Sequence, residues 1–244
     1  MIRVGRCTYN TSGQRTDPSY PGFTSIVVLM KGHSEWGALG PYVLKDDEGR
    51  ILENIWQFAK MYAKVPATTQ YYSRWDRTVI WSHPAETHYK DGVIKPAYWE
   101  WREKGMKNPY YVRYPVGYGN MHKCLFAIKD DDPDSRLDYI EARKQIYIPT
   151  YIELVKKEPK FMELKNKLDS GENLLIIEVD GPHQESLGYY QEKYNVEENF
   201  IENGTMLATD ENLMIMMADE KHPFGHGYCL AMALLGLDNL VDLF

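Results

Sequence analysis

Apolar residues recur along this chain with two periods. Ser25-Ile26-Val27-Val28-Leu29-Met30 is a β-branched run of strand length, and Leu174-Leu175-Ile176-Ile177-Glu178-Val179 is the clearest strand in the sequence. A helical period predicts a helix starting near Leu52, where Ile55, Phe58, Ala59 and Tyr62 share an apolar face, and Pro66 ends it. Asp134-Ser135 predicts a helix cap, with the helix running to about Tyr147 and further helices over 149–157 and 160–168. Ser170-Gly171 suits a helix C-terminus. A short helix is expected over 211–218 and an apolar one over 228–237. Residues 8–22 read as an irregular lead-in, 32–41 as a turn-rich stretch and 45–50 as a polar hairpin-like turn. Residues 66–120 carry prolines and bulky aromatics without a sustained helical period, and read as a loop-rich insertion. The expected class is α+β, predominantly helical.

Length and charge narrow the picture. The chain has 244 residues, 43% of them hydrophobic, enough for a substantial core in one domain. Its longest apolar stretches fall far short of a membrane span, so no membrane partner is expected. Met1-Ile2-Arg3-Val4-Gly5-Arg6 lacks the apolar core of a secretory signal. The cysteines, Cys7, Cys124 and Cys229, are odd in number and widely spaced, which points to a reducing cytoplasm or nucleus. A net charge of −7 argues against a broad nucleic-acid footprint but allows a cleft for one nucleotide. The 13% aromatic content serves base stacking and core filling equally well.

Two groups of residues invite chemistry. Glu53, Gln57 and Lys60 lie at i, i+4 and i+7 on the helix beginning near Leu52, with Trp56 on the flank. They form either a solvated stripe or the wall of a pocket. The second group is Asp180, His183, Asp219, His222 and His226, whose Asp-x-x-His spacings could hold a divalent metal or serve local hydrogen bonds. Pro223 and Gly225 oppose a helix that would align His222 with His226. A third use is pocket lining. Asp180 follows the strongest strand, and Phe224-Gly225-His226-Gly227 precedes a helix N-terminus whose free N–H groups suit a phosphate. Arg113 reads as a loop residue in a surface ion pair, or as a basic group near a base stacked among Trp81, Tyr98, Trp99 and Tyr111. Arg143-Lys144 read as a solvated helix face. His33, His83, His88 and His122 have no ligand spacing and read as structural. No GxSxG elbow, dinucleotide glycine motif or phosphate loop is present, so hydride and phosphoryl transfer have no support.

Three ordered blocks resemble one family. They are His33-Ser34-Glu35-Trp36-Gly37-Ala38-Leu39-Gly40 with Asp47-Glu48-Gly49 and Glu53-Asn54-Ile55-Trp56-Gln57-Phe58-Ala59-Lys60; Pro159-Lys160-Phe161-Met162-Glu163-Leu164 with Leu168-Asp169-Ser170-Gly171 and Leu174-Leu175-Ile176-Ile177-Glu178; and Gly227-Tyr228-Cys229-Leu230-Ala231-Met232-Ala233-Leu234-Leu235. In order and spacing they resemble the NADAR (YbiA-like) family. Asp180-Gly181-Pro182-His183 stands where the family has Trp-Gly, Tyr228 where it has Asn, and Leu230-Ala231 where it has Leu-Gly.

The resemblance implies a single NADAR-like domain over 1–244, with a core of about 23–65 and 134–244 and an insertion of about 66–133. Family members hydrolyse N-glycosidic bonds, including those joining ADP-ribose to nucleobases. The implied partner is an ADP-ribosyl nucleotide or ADP-ribosylated nucleic acid, and reversal of ADP-ribosylation is the implied role. Glu53 is the expected carboxylate beside the ribose, with Lys60 and Asp180 as further catalytic groups. Expected substrate contacts come from Trp36, Gly37, Trp56, Gln57, Arg113, His183, Gly225, His226, Gly227 and Tyr228, with no metal and no cofactor. Two rival readings stay open: a metal-dependent hydrolase built on the Asp/His group, and a non-catalytic module that binds ADP-ribose or a nucleotide. Oligomeric state is left open.

Overall fold

In a computed structural model of the chain, residues 1–29 and 35–243 are described. The end of the expected strand at Met30, the turn residues Lys31, Gly32 and Ser34, the histidine His33 and the terminal Phe244 lie outside the described residues. The protein is α+β. Internal contacts divide it into two compact units: residues 1–43 with 148–244, and residues 44–147. Among the described residues no helix is long and apolar enough to cross a membrane.

The first unit is built on a four-stranded mixed sheet in the order Thr205–Leu207, Ile2–Arg6, Leu174–Glu178, Thr24–Val27. The fully buried Leu174–Glu178 strand runs parallel to both neighbours, as an apolar run without alternation requires. Ile2–Arg6 is an interior strand that the apolar pattern does not announce, because Arg3, Gly5 and Arg6 interrupt it. Arg3 is nonetheless buried, its Nε donating to Thr205 Oγ1 at 2.7 Å and its guanidinium lying 3.8 Å from the centre of the Tyr20 ring. The expected helices appear as Ile148–Val155, Pro159–Asp169, Asp210–Ala218 and His226–Leu235. A further helix, Leu187–Tyr194, lies in a stretch for which the apolar pattern predicts no element. His226–Leu235 is buried from His226 to Leu234 and packs against the Ile148–Val155 helix and the two central strands.

Residues 44–147 depart further from expectation. The helix from Leu52 ends at Phe58, and Lys60–Tyr62 is a strand paired antiparallel with Cys124–Ala127. Helical spacing through Tyr62 was therefore coincidental; cross-strand pairing overrides it. The stretch 66–120 is not mainly loop, since it holds several strand pairs and the helix Pro96–Met106. That helix buries Tyr98, Trp101, Arg102, Gly105 and Met106, a regular helical face disguised by an arginine and a glycine. Its packing is close: a Cβ on Gly105 would lie 2.1 Å from the Phe58 ring. Phe58 in turn has Trp101 and Trp81 ring centres 4.6 and 4.8 Å away. Asn54, fully buried, donates to the carbonyls of Asn108 and Tyr110 and accepts from Val112 N–H at 2.8 Å, holding that segment in place. Asp138, not Asp134, caps the next helix, Tyr139–Ala142, which continues as a π-helical turn, Arg143–Tyr147. Arg143 is buried there over the Tyr139 ring, so it does not lie on a solvated face. Lys144 is half-buried against Glu141.

Gly105→Ala drives a methyl group into the Phe58 ring and is expected to destabilise the protein by about 1–3 kcal/mol. Gly119→Ala, where a Cβ meets nothing within 4 Å, is the matched control and should stay within about 0.5 kcal/mol. Denaturant unfolding of both variants checks the difference.

Candidate functional site

Within residues 44–147, the three polar residues of the first group form one hydrogen-bonded line. Gln57 Nε2 donates to Glu53 Oε1 at 2.9 Å, and Lys60 Nζ donates to Gln57 Oε1 at 3.0 Å. The line is not a solvated stripe, because Glu53 is 6% exposed and Gln57 and Lys60 are half-buried. Lys60 reaches it from the strand rather than from the helix. Burial pulls the Lys60 ammonium below its ordinary range, and the Glu53 carboxylate restores part of that loss.

Aromatic rings flank the line. Lys60 Nζ lies 4.6 Å from the centre of the Trp56 ring, and Trp56 packs on Tyr147 at 5.2 Å. Arg113 lies 5.0 Å from the Tyr114 ring centre. Tyr111, pushed up by burial, also feels the charges of Tyr72, Arg113 and Glu53. Cys124 adds a thiol raised by burial and lowered by nearby Lys60. Tyr111 had been read only as a ring near a base, and Cys124 not as a site residue at all, because nothing in local spacing joins them to Glu53.

In residues 1–43 and 148–244, the remaining expected residues fall into separate surroundings. Trp36 is buried beneath Lys160 Nζ, 4.7 Å from its ring centre, and Gly37 opens the short 3-10 turn Gly37–Leu39. Asp180 is exposed just beyond the Leu174–Glu178 strand. Gly225, His226, Gly227 and Tyr228 form the start of the last helix, but the phosphate expected there meets a carboxyl already in place. A Cβ on Gly225 would lie 2.0 Å from Glu178 Oε2, and one on Gly227 2.9 Å from Oε1. Both glycines are thus required by the approach of Glu178. The Tyr228 hydroxyl is buried without a hydrogen-bond partner.

Glu178 is the principal titrating group that sequence reasoning passed over; ending an apolar strand, it reads as the strand's exit. Burial and the neighbouring Asp180 charge push its carboxyl up to about 8, while the N–H groups of Gly227 and Tyr228 act to lower it. His226 shows the converse. Desolvation lowers it to about 4, its Nε2 meets the carbonyl of Val28, and its Nδ1 lies 3.4 Å from Glu178 Oε2. Burial thus disfavours the charged form of both members of the pair.

The Asp/His group does not assemble as one ligand set. Asp219 and His222 pair at 2.6 Å, and His183 packs on the His222 ring at 4.4 Å. His226 belongs with Glu178, and Asp180 is exposed. Among the described residues, the group whose donor atoms lie close enough for one cation is His83, Glu86 and His88. Glu86 Oε2 is 2.8 Å from His83 Nε2 and 3.2 Å from His88 Nε2. Both histidines had been read as structural.

Glu178 has a consequence for stability. Its folded value lies above the ordinary 4.5, so the folded chain binds this proton more tightly and stability declines as pH rises from 4.5 to about 8. His226, lowered from 6.5, acts oppositely, and its contribution is lost as pH falls from 6.5 to about 4. Glu178→Gln, which mimics the protonated acid, should flatten the decline above pH 6.5. Unfolding midpoints measured between pH 5 and 9 test this; an unchanged slope contradicts the assignment. No protein-family model matches the chain, and no curated protein or solved structure matches it either.

Proposed function

We propose that this chain is a distant NADAR-like N-glycosidase that cleaves the bond between ADP-ribose and a nucleobase, in a nucleotide or in nucleic acid. The observation that carries the reading is the Lys60–Gln57–Glu53 line, set in half-buried aromatic surroundings. Departure of the base leaves positive charge on the ribose, and a desolvated carboxylate is the group that stabilises it. Glu53 supplies that carboxylate or activates the attacking water. Gln57 orients Glu53 by donating to it. Lys60, with its charged form disfavoured by burial, either protonates the departing base or attacks C1′ of the opened ribose. Trp56 offers a face for stacking, and Arg113 a positive charge for phosphate. The odd, widely spaced cysteines are compatible with an activity in a reducing compartment, the cytoplasm or the nucleus.

The test is incubation with ADP-ribosylated guanosine and thymidine oligonucleotides, reading released ADP-ribose. Glu53→Gln should fold normally by circular dichroism and lose at least ~100-fold in rate. Borohydride added during turnover should trap an adduct on Lys60 if the amine is the nucleophile, and none if it is the acid. Full activity in Glu53→Gln defeats the proposal. Tight calorimetric binding of ADP-ribose without release from any substrate would instead identify a non-catalytic binding module.

A further inference from the structure

Within residues 1–43 and 148–244, a set of side chains has the connectivity of a nucleophile, a base and an orienting acid. Ser186 Oγ lies 3.0 Å from His222 Nε2, and His222 Nδ1 lies 2.6 Å from Asp219 Oδ2. We propose that Ser186, His222 and Asp219 form a serine hydrolase relay acting on short-chain carboxylic esters.

The polarity of the relay follows from the hydrogen bonds on Asp219. Its Oδ1 accepts from the Tyr189 hydroxyl at 3.0 Å and from the Lys221 N–H at 2.8 Å. Its Oδ2 accepts from the Tyr190 hydroxyl at 2.7 Å, and that hydroxyl oxygen also lies 3.0 Å from His222 Nδ1, where it can share the ring N–H with Asp219. Burial alone would push this carboxyl up, but these donors together with His222 hold it below its ordinary range. An ionised acceptor draws the His222 proton onto Nδ1. Nε2 is then left as the acceptor, and the Ser186 hydroxyl donates to it. This is the tautomer that general-base activation of a serine requires. His222 is 8% exposed and Asp219 1%, so both are held in place, whereas Ser186 is half-buried and open to an incoming ester. The His183 ring, tilted 33° over His222, further limits rotation of the imidazole.

The first turn of the helix after Ser186 is where the relay would place the oxyanion. Ser186 is the residue immediately before the Leu187–Tyr194 helix, and first-turn N–H groups have no acceptor within their helix. Leu187 N–H turns back to Gln184 O. Gly188 is exposed, and a Cβ placed there would meet nothing within 4 Å, so no side chain covers that turn. A bare turn of this kind is compatible with a short acyl group.

The reaction balances with water as the only co-reactant. Ser186 Oγ bonds to the ester carbonyl carbon as its proton passes to His222 Nε2. The ester C–O bond then breaks, and the alcohol leaves with that proton. Water, deprotonated by the same nitrogen, attacks the acyl-serine, the Oγ–acyl bond breaks, and the proton returns to Ser186.

The full-length protein is treated with a fluorophosphonate probe, and the labelled peptide is mapped by mass spectrometry. Hydrolysis of p-nitrophenyl acetate is followed in parallel. The expected result is covalent label on Ser186, and a hydrolysis rate in Ser186→Ala at least ~100-fold below wild type with an unchanged unfolding midpoint. Asp219→Asn favours the wrong tautomer and should also lose both label and rate. Ser186→Cys, with the base retained, should react with iodoacetamide faster than Cys7 or Cys124, which burial pushes toward the unreactive thiol. Wild-type protein unlabelled at Ser186, label confined to another residue, or a Ser186→Ala rate equal to wild type would each overturn the proposal.

Discussion

A carboxyl group buried where a strand meets a helix start organises the unit formed by residues 1–43 and 148–244. Glu178 ends the central strand and meets the first turn of His226–Leu235. Burying a charge there would be costly, and the protein avoids the cost by keeping the acid protonated while the helix N-terminus faces it. Several features follow from that choice. Gly225 and Gly227 have no room for a Cβ. His226 stays neutral and fastens to the carbonyl of Val28, just beyond the neighbouring Thr24–Val27 strand. Val28 N–H in turn donates to Ile177 O, closing the arrangement onto the strand that carries Glu178.

Residues 44–147 solve a comparable problem with neutral groups. Asn54 satisfies three backbone groups of the 108–112 segment from a fully buried position, and an unpaired amide there would be destabilising. One residue earlier, Glu53 turns to Gln57 and Lys60. The amide between acid and amine keeps the two from forming a direct ion pair. That leaves Lys60 only partly compensated for its burial, a condition that makes an amine a better acid and nucleophile than an exposed one.

The relay at Ser186 is assembled on another principle. Its residues come from a turn before one helix and from the segment following the Asp210–Ala218 helix. Tyrosines from Leu187–Tyr194 hold the acid from the side. Local motifs do not encode such a constellation, so the absence of a GxSxG elbow carries no information about it.

How much could be read without the fold varied by element. The strand at Leu174–Glu178 and the helices at 159–169, 210–218 and 226–235 were legible because their burial pattern is carried by residues of one character. The strand Ile2–Arg6 and the helix Pro96–Met106 were not, since Arg3 and Arg102 occupy buried positions that charged residues normally avoid, and Gly105 adds no apolar side chain to the pattern. The candidate residues divided in the same way. By itself the sequence determined the α+β class and placed Glu53, Gln57 and Lys60 within reach of one another, because a helical turn and its next few residues are local geometry. Only the tertiary structure decided that Lys60 sits on a strand, that Glu178 fills the helix start assigned to a phosphate, and that Asp219 and His222 turn toward Ser186. These depend on strand pairing and burial between residues far apart in the chain, and no local spacing records them.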